Sequence, residues 1–169
     1  MKRRDFALAL PAALATTQLG ALAQAHQNTV TIGMALEPSP GLDPTAGAAS
    51  SIAEVVLYNI FETLVKLRPD GSVVPMLAER WEVSPDLRTT TFHLRQDARF
   101  SNGKRFDAAT VRFSFERAAA EHSTNKDRRL FEDMEKIETP DDFTAVITNR
   151  EPDPNFLFKI AQATAIMVE

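Results

Sequence analysis

From Thr91 to Arg95 the chain alternates, with Phe92 and Leu94 apolar and Thr91, His93 and Arg95 polar, the period-two pattern of a half-buried strand. Ser84, Pro85 and Asp86 ahead of it are turn formers. Beyond it, Ser101-Asn102-Gly103 makes a second turn, where Gly103 supplies a positive φ and Asn102 tolerates one. The period then lengthens to that of a helix: Asp107 is placed to cap a segment that buries Val111, Phe115 and Ala118. The pattern predicts strand, turn, helix in that order.

Elsewhere, Val30, Ile32 and Met34 alternate as a first strand, and Leu36 to Gly47 is a loop containing proline and glycine. Ser50 or Ser51 is placed to cap a helix in which Ile52, Val55, Val56 and Ile60 recur at helical spacing. Met134 to Thr139 and Phe143 to Thr148 predict two short strands joined at Pro140-Asp141-Asp142. Asp153 at a cap and Pro154 in the first turn predict a helix running into Phe156, Leu157 and Ile160. Between Lys126 and Lys136 charges of both signs mix, as on a solvated helix face with i,i+4 pairs. Of the eleven phenylalanines, Phe92, Phe100, Phe106 and Phe115 are expected to be buried first. There is no internal repeat, and the fold class is mixed α/β.

In order and spacing, Trp81, Ser84, Asp86, Thr91-Phe92, Leu94-Arg95, Phe100, Asn102-Gly103, Phe106-Asp107-Ala108 and Val111 closely resemble the signature of family 5 of the extracellular solute-binding proteins, which serve peptide and nickel ABC importers. The resemblance continues upstream through residues 58–65 and 70–78, and covers most of the chain from about Val30 onward. Arg105 stands where the family commonly has proline and Thr110 where it often has an acidic residue, both beside a helix start. The resemblance implies a periplasmic-binding-protein-like fold of class II, with two lobes closing on a ligand, of which only an N-terminal portion is present here. Residues 26–49 are then the first strand and cleft loop of the larger lobe, 50–163 the smaller lobe, and 164–169 the start of the return, within a helix or a crossover strand. It implies a core or lobe-supporting role for Trp81.

The loop Glu37 to Thr45 is stiffened by three prolines, so it has little conformational entropy left to lose on binding. By resemblance it touches the solute, through Glu37, Ser39 and Thr45; a rigid connector that touches nothing is the alternative. The Asp43 carboxylate, beginning a turn with Pro44, is expected to bond nearby backbone amides.

The N-terminus narrows the compartment. Lys2, Arg3 and Arg4 precede an apolar run from Phe6 to Ala15, and small-residue cleavage sites follow at 21–23 and 23–25. Residues 1–25 are expected to be a signal peptide, marked by Arg3, Arg4, Phe6, Ala23 and Ala25, with the mature chain starting near Gln24 or His26. Arg3-Arg4 with Phe6 also resembles a twin-arginine signal, although Ala7 and Leu8 replace the rest of that motif, and both export routes stay open. Removing residues 1–23 takes the 19 basic and 23 acidic residues to 16 and 22, a net charge near −6. That acidity argues against a nucleic-acid partner. No apolar segment is long enough for a transmembrane helix.

The chain has no cysteine, hence no disulfide, no thiolate metal site and no lipid anchor on a cysteine. Its histidines, His26, His93 and His122, lie far apart, and no nucleophile elbow or phosphate loop occurs. No catalytic residue, metal site or cofactor is expected. The resemblance implies the periplasmic substrate-binding component of an ABC importer, which binds small peptides or a similar polar solute and delivers them to the membrane permease. A short secreted interaction or sensor module, non-catalytic and complete in itself, is the alternative.

Overall fold

A computed structural model describes residues 31–47 and 49–169 of the chain, which divides into Met1–Gly33 and Met34–Glu169. Arg3, Arg4, Phe6, Ala23, Ala25 and the rest of the expected signal segment, with Val30, lie outside the described residues. In chain order the elements are α1 (Ser50–Val56), β1 (Val65–Leu67), β2 (Val73–Pro75), β3 (Ala78–Val83), β4 (Thr89–Leu94), α2 (Ala108–Ala119), α3 (Arg128–Glu132), β5 (Met134–Asp141), β6 (Thr144–Asn149), α4 (Phe156–Ile160) and a 3-10 turn at Ala163–Ala165.

Four strands form an antiparallel sheet in the order β3-β4-β6-β5. The alternation at 91–95 is that of β4, where Thr90, Phe92 and Leu94 are buried and the residues between them are half-buried. Phe92 faces Trp81 on one side and Ala145 on the other, and Thr90 faces Ile147. One face of the sheet is thus apolar, and α2 covers it with Val111, Phe115 and Ala118. The Phe115 ring meets the Phe131 ring of α3 at 5.3 Å between centroids. Burying Phe92 and Phe115 completely contributes about 1.5–3 kcal/mol each. Trp81 is half-buried and packs against this core.

Asp107 caps α2 as its position predicts: its Oδ1 accepts from the Thr110 amide and hydroxyl, both at 2.8 Å. Arg105 lays its guanidinium over the Phe143 ring, 4.6 Å from the centroid. The departures at 105 and 110 therefore leave the cap in place. The mixed charges form the i,i+4 pairs Arg128–Glu132 and Arg129–Asp133 on α3.

Six local expectations are corrected. Ile32 and Met34 lie in backbone with no ladder partner, and Ile32 is 78% exposed; alternation makes a strand only where a neighbouring strand supplies hydrogen bonds. At α1 the cap residue is Ala49, and Ser51, inside the helix, gives its hydroxyl to the Glu37 carbonyl instead of capping. The helix stops at Val56, leaving Ile60 59% exposed in a following turn. At α4 the cap residue is Asn155: Asp153 accepts from the Asn155 amide one step upstream, so the helix starts later. β5 runs on through Pro140 to Asp141, because an edge strand tolerates the missing N–H, and the hairpin turns at Asp142-Phe143. Past the 3-10 turn, residues 166–169 are neither helix nor strand; Ile166 and Met167 are buried, and the Met167 amide donates to the Glu62 carbonyl.

Three strands escape the periodicity altogether. β3 carries exposed Glu79, Arg80 and Glu82 and a register shift between Ala78 and Arg80, so its apolar positions do not alternate. The β1-β2 hairpin is three residues a side and turns at Asp70-Gly71, where Gly71 takes φ +84°.

Candidate functional site

Beyond the C-terminal end of β4 lies a cleft of about 640 Å³. Tyr58, Phe61, Met76, Phe100 and Met167 supply its apolar wall, and Glu62, Arg95, Asp97, Arg99 and Glu169 its charge. Tyr58 sits where the chain leaves α1 and turns back, so that Leu57 bridges Phe61. Its φ of 65° is the left-handed region, costing about 1–3 kcal/mol for a side chain of this size. The surroundings hold it there: its hydroxyl donates to the Ala161 carbonyl and accepts from the Leu67 amide, and Lys66 Nζ lies 4.5 Å from the ring centroid.

Arg95 follows the last residue of β4, and its amide donates to the Leu77 carbonyl. Its guanidinium forks onto Asp97, with Nε to Oδ1 at 3.0 Å and Nη2 to Oδ2 at 2.9 Å. The hydrogen bond from Arg95, and then its charge, hold the Asp97 carboxyl below the ordinary carboxylate range. Phe100, expected in the core, is half-buried: it meets the buried Phe106 edge-on at 6.4 Å and opens onto the cleft. The turn that aims it rests on Gly103 at φ +88°, whose amide returns to the Phe100 carbonyl. Aromatic surface beside a fixed ion pair suits recognition of an organic group bearing charge. Among the described residues, no group of three or more His, Cys, Asp or Glu is placed to hold a metal ion.

None of Glu37, Ser39 and Thr45 borders this cleft. Glu37 and Ser39 are exposed, and the Glu37 carbonyl accepts from Ser51. Thr45 is buried; its hydroxyl and amide donate to Asp43 Oδ1 at 2.7 and 2.8 Å, the turn chemistry expected of Asp43. Burial pushes the Asp43 carboxyl up, but bonds from the Thr45 hydroxyl and the Thr45 and Ala46 amides outweigh it and hold the carboxyl below the ordinary range. The Lys126 amide donates to the Thr45 carbonyl and Lys126 Nζ to that of Gly47, fastening the loop to the segment after α2. There Thr45 borders a smaller cavity of about 260 Å³, with Arg117, His122, Ser123 and Asn125.

Periodicity does not point to Tyr58, Phe100 or the Arg95–Asp97 pair. A left-handed tyrosine has no sequence signature, and an Arg-x-Asp step past a strand end is too common to signal a site.

Residues 72–169 match the model of the family described as bacterial extracellular solute-binding proteins, family 5 Middle. The glutathione-binding protein GsiB of Pectobacterium atrosepticum is 30% identical over 127 residues, covering 75% of this chain and 24% of its own. The nickel-binding periplasmic protein of Escherichia coli K12 is 50% identical over 56 residues, 33% of this chain and 11% of its own. Among solved structures, the binding protein AgaA of A. tumefaciens R10 in complex with agropinic acid aligns with a TM-score of 0.72 and 36% identity, over 78% of this chain and 26% of that one. The chain spans about a quarter of the length of the curated GsiB relatives it matches.

Proposed function

The chain belongs to the bacterial extracellular solute-binding proteins, family 5, and from that membership we propose that the protein carrying it is the periplasmic solute receptor of an ABC importer. Its α/β unit is a portion of the periplasmic-binding-protein fold, and members of the family are non-catalytic binding proteins of transport systems. Among the described residues, no helix is long and apolar enough to cross a membrane.

The solute is a small peptide or a polar molecule of similar size. Printed names among the relatives include glutathione-binding and di/tripeptide-binding proteins. The observation that carries this reading is the family match over 72–169 together with the backbone likeness to a binding protein in complex with its solute. The loop of 37–45, which lies away from the cleft at Tyr58 and Phe100, is the proposed contact. Glu37 and Ser39 are exposed there, and Thr45 Oγ1, donating to Asp43, keeps acceptor capacity. A loop pre-set by proline and fastened at Thr45 and Gly47 loses little entropy when a solute arrives. Solute binding would draw two lobes together by a hinge motion and present the closed form to the permease.

The test is thermal unfolding of the full-length protein with glutathione, di- and tripeptides, and nickel chelates. A true solute at a hundred times its Kd stabilises by about 2.7 kcal/mol. No shift with any of them would overturn the proposal.

A further inference from the structure

Asp127 stands at the N-terminal cap of α3, yet its side chain makes no capping bond. An aspartate in that position ordinarily accepts from an amide of the first turn. Here Oδ2 accepts from the Thr164 hydroxyl at 2.8 Å instead, and Thr164 is buried. Two residues earlier, Asn125 is buried with both polar atoms of its side chain engaged: Nδ2 donates to the Thr164 carbonyl at 2.9 Å, and Oδ1 accepts from the Asp127 amide at 2.9 Å. Lys126, between them, reaches a different segment. Its amide donates to the Thr45 carbonyl at 2.9 Å and its Nζ to the Gly47 carbonyl at 3.1 Å.

Three consecutive residues thus join two segments far apart in sequence, the loop at 45–47 and the 3-10 turn at Ala163–Ala165, whose own residues are buried. A polar network with its buried members satisfied is rigid, and each of its bonds is costly to break. The loop has little other purchase: Glu37, Ser39 and Gly41 are exposed, and the bonds between Asp43 and Thr45 are local to it. A loop that is not held beforehand loses affinity to its own ordering when a ligand arrives. Thr45 and Asn125 border the same cavity of about 260 Å³, whereas Lys126 and Asp127 do not border it.

We propose, on the footing that the solute meets the loop of 37–45, that Asn125, Lys126 and Asp127 form a clip that sets the place of that loop, with Lys126 and Asp127 as positioning residues for solute binding. The two bonds to Thr164 hold the clip on the body of the fold, and Lys126 carries the main chain of Thr45 and Gly47 on the clip. Lys126 and Asp127 act through Thr45 and Thr164 and touch no solute.

Two readouts on the full-length protein test this: hydrogen exchange at the amides of 43–47 and of Lys126 without solute, and calorimetric titration with glutathione and a panel of di- and tripeptides. Asp127→Leu and Thr164→Val are expected to speed that exchange while β4 and β6 exchange as in wild type, and to weaken every solute that binds alike, by about three- to tenfold. Lys126→Met, at an exposed position, should weaken binding about twofold. Asp127→Asn and Thr164→Ser, which keep the acceptor and the hydroxyl, should restore both readouts. Unchanged exchange in Asp127→Leu and Thr164→Val overturns the clip, whether or not a solute binds. Faster exchange with unchanged affinity overturns the positioning role, and so does an altered preference among solutes, the mark of direct contact. If the wild type binds none of the panel, the contact at 37–45 fails and the positioning role with it, while exchange still decides the clip. Should Asp127→Leu and Thr164→Val not fold, Lys126→Met carries the same two readouts with the same meaning.

Discussion

The sheet with α2 and the segment from Glu37 to Phe61 are held by different physics. In the sheet, Phe92, Ile147, Val111 and Phe115 are each no more than 1% exposed, and burial of repeated apolar positions does the stabilising. The segment has few such positions. It is tied by single polar bonds, within itself from Ser51 to the Glu37 carbonyl and to distant residues from Lys126 to Thr45 and Gly47 and from Tyr58 to Ala161. A core of the first kind tolerates loss of any one polar group; a loop of the second kind has no reserve when one tie is cut.

The largest effect should come from the core: Phe92→Ala, at a fully buried position, is expected to cost about 3–5 kcal/mol in urea unfolding. A cost below about 1 kcal/mol would show that the sheet relaxes around the gap and end the contrast.

In the loop the most damaging change should be Gly47→Ala. A Cβ there would collide with Ile52 Cδ1 and press on the Asp43 carbonyl at 3.1 Å, for a loss of about 1–3 kcal/mol. Gly41→Ala, with nothing near its Cβ, is the control and should change stability by less than about 0.5 kcal/mol. Equal effects at the two glycines would refute the close approach of α1 to the loop.

Removing a single cap lies lower in the order. Asp107→Ala should cost about 1 kcal/mol through the lost bonds to Thr110, and Asp107→Asn much less, read from the same unfolding curves.

Acid should act on carboxylates of the turns, of which Asp43 lies in the loop. Asp43, Asp70, Asp86, Asp97 and Asp141 all have carboxyls held below their ordinary value of 3.8. A depressed folded-state value means the unfolded chain takes up the proton first, so the stabilisation is complete only above the unfolded value of 3.8. It fades as pH falls through 3.8 and onward through the lower folded-state values. Because all five are exposed, the slope should be shallow and should flatten further in high salt. Unfolding curves independent of pH below 4 would contradict this.

Much of the sheet was legible because its determinants are local. Alternation at Phe92 and Leu94, the cap at Asp107 and the charge pairs on α3 need only near neighbours in sequence, and each stands where the pattern places it. β3 was not legible, since its polar residues face solvent at an edge and a bulge breaks their period. The cleft at Tyr58 and Phe100 was not legible. Phe100 and Arg95 belong to the family signature, but nothing in their spacing says that one opens onto a cavity or that the other forks onto Asp97.

The sequence by itself determined the family, through its signature residues, and the α/β class with the helix and strands that carry the core, because hydrophobic period and capping chemistry act over a few residues. Only the tertiary structure decided that Ser51 serves the Glu37 carbonyl and not a cap, that Tyr58 is kept left-handed by Ala161 and Leu67, and that Asn149 is buried with its amide unpaired. Each of those depends on partners brought from across the chain, and the free energy of a hydrogen bond or of its absence is set by where the partner ends up.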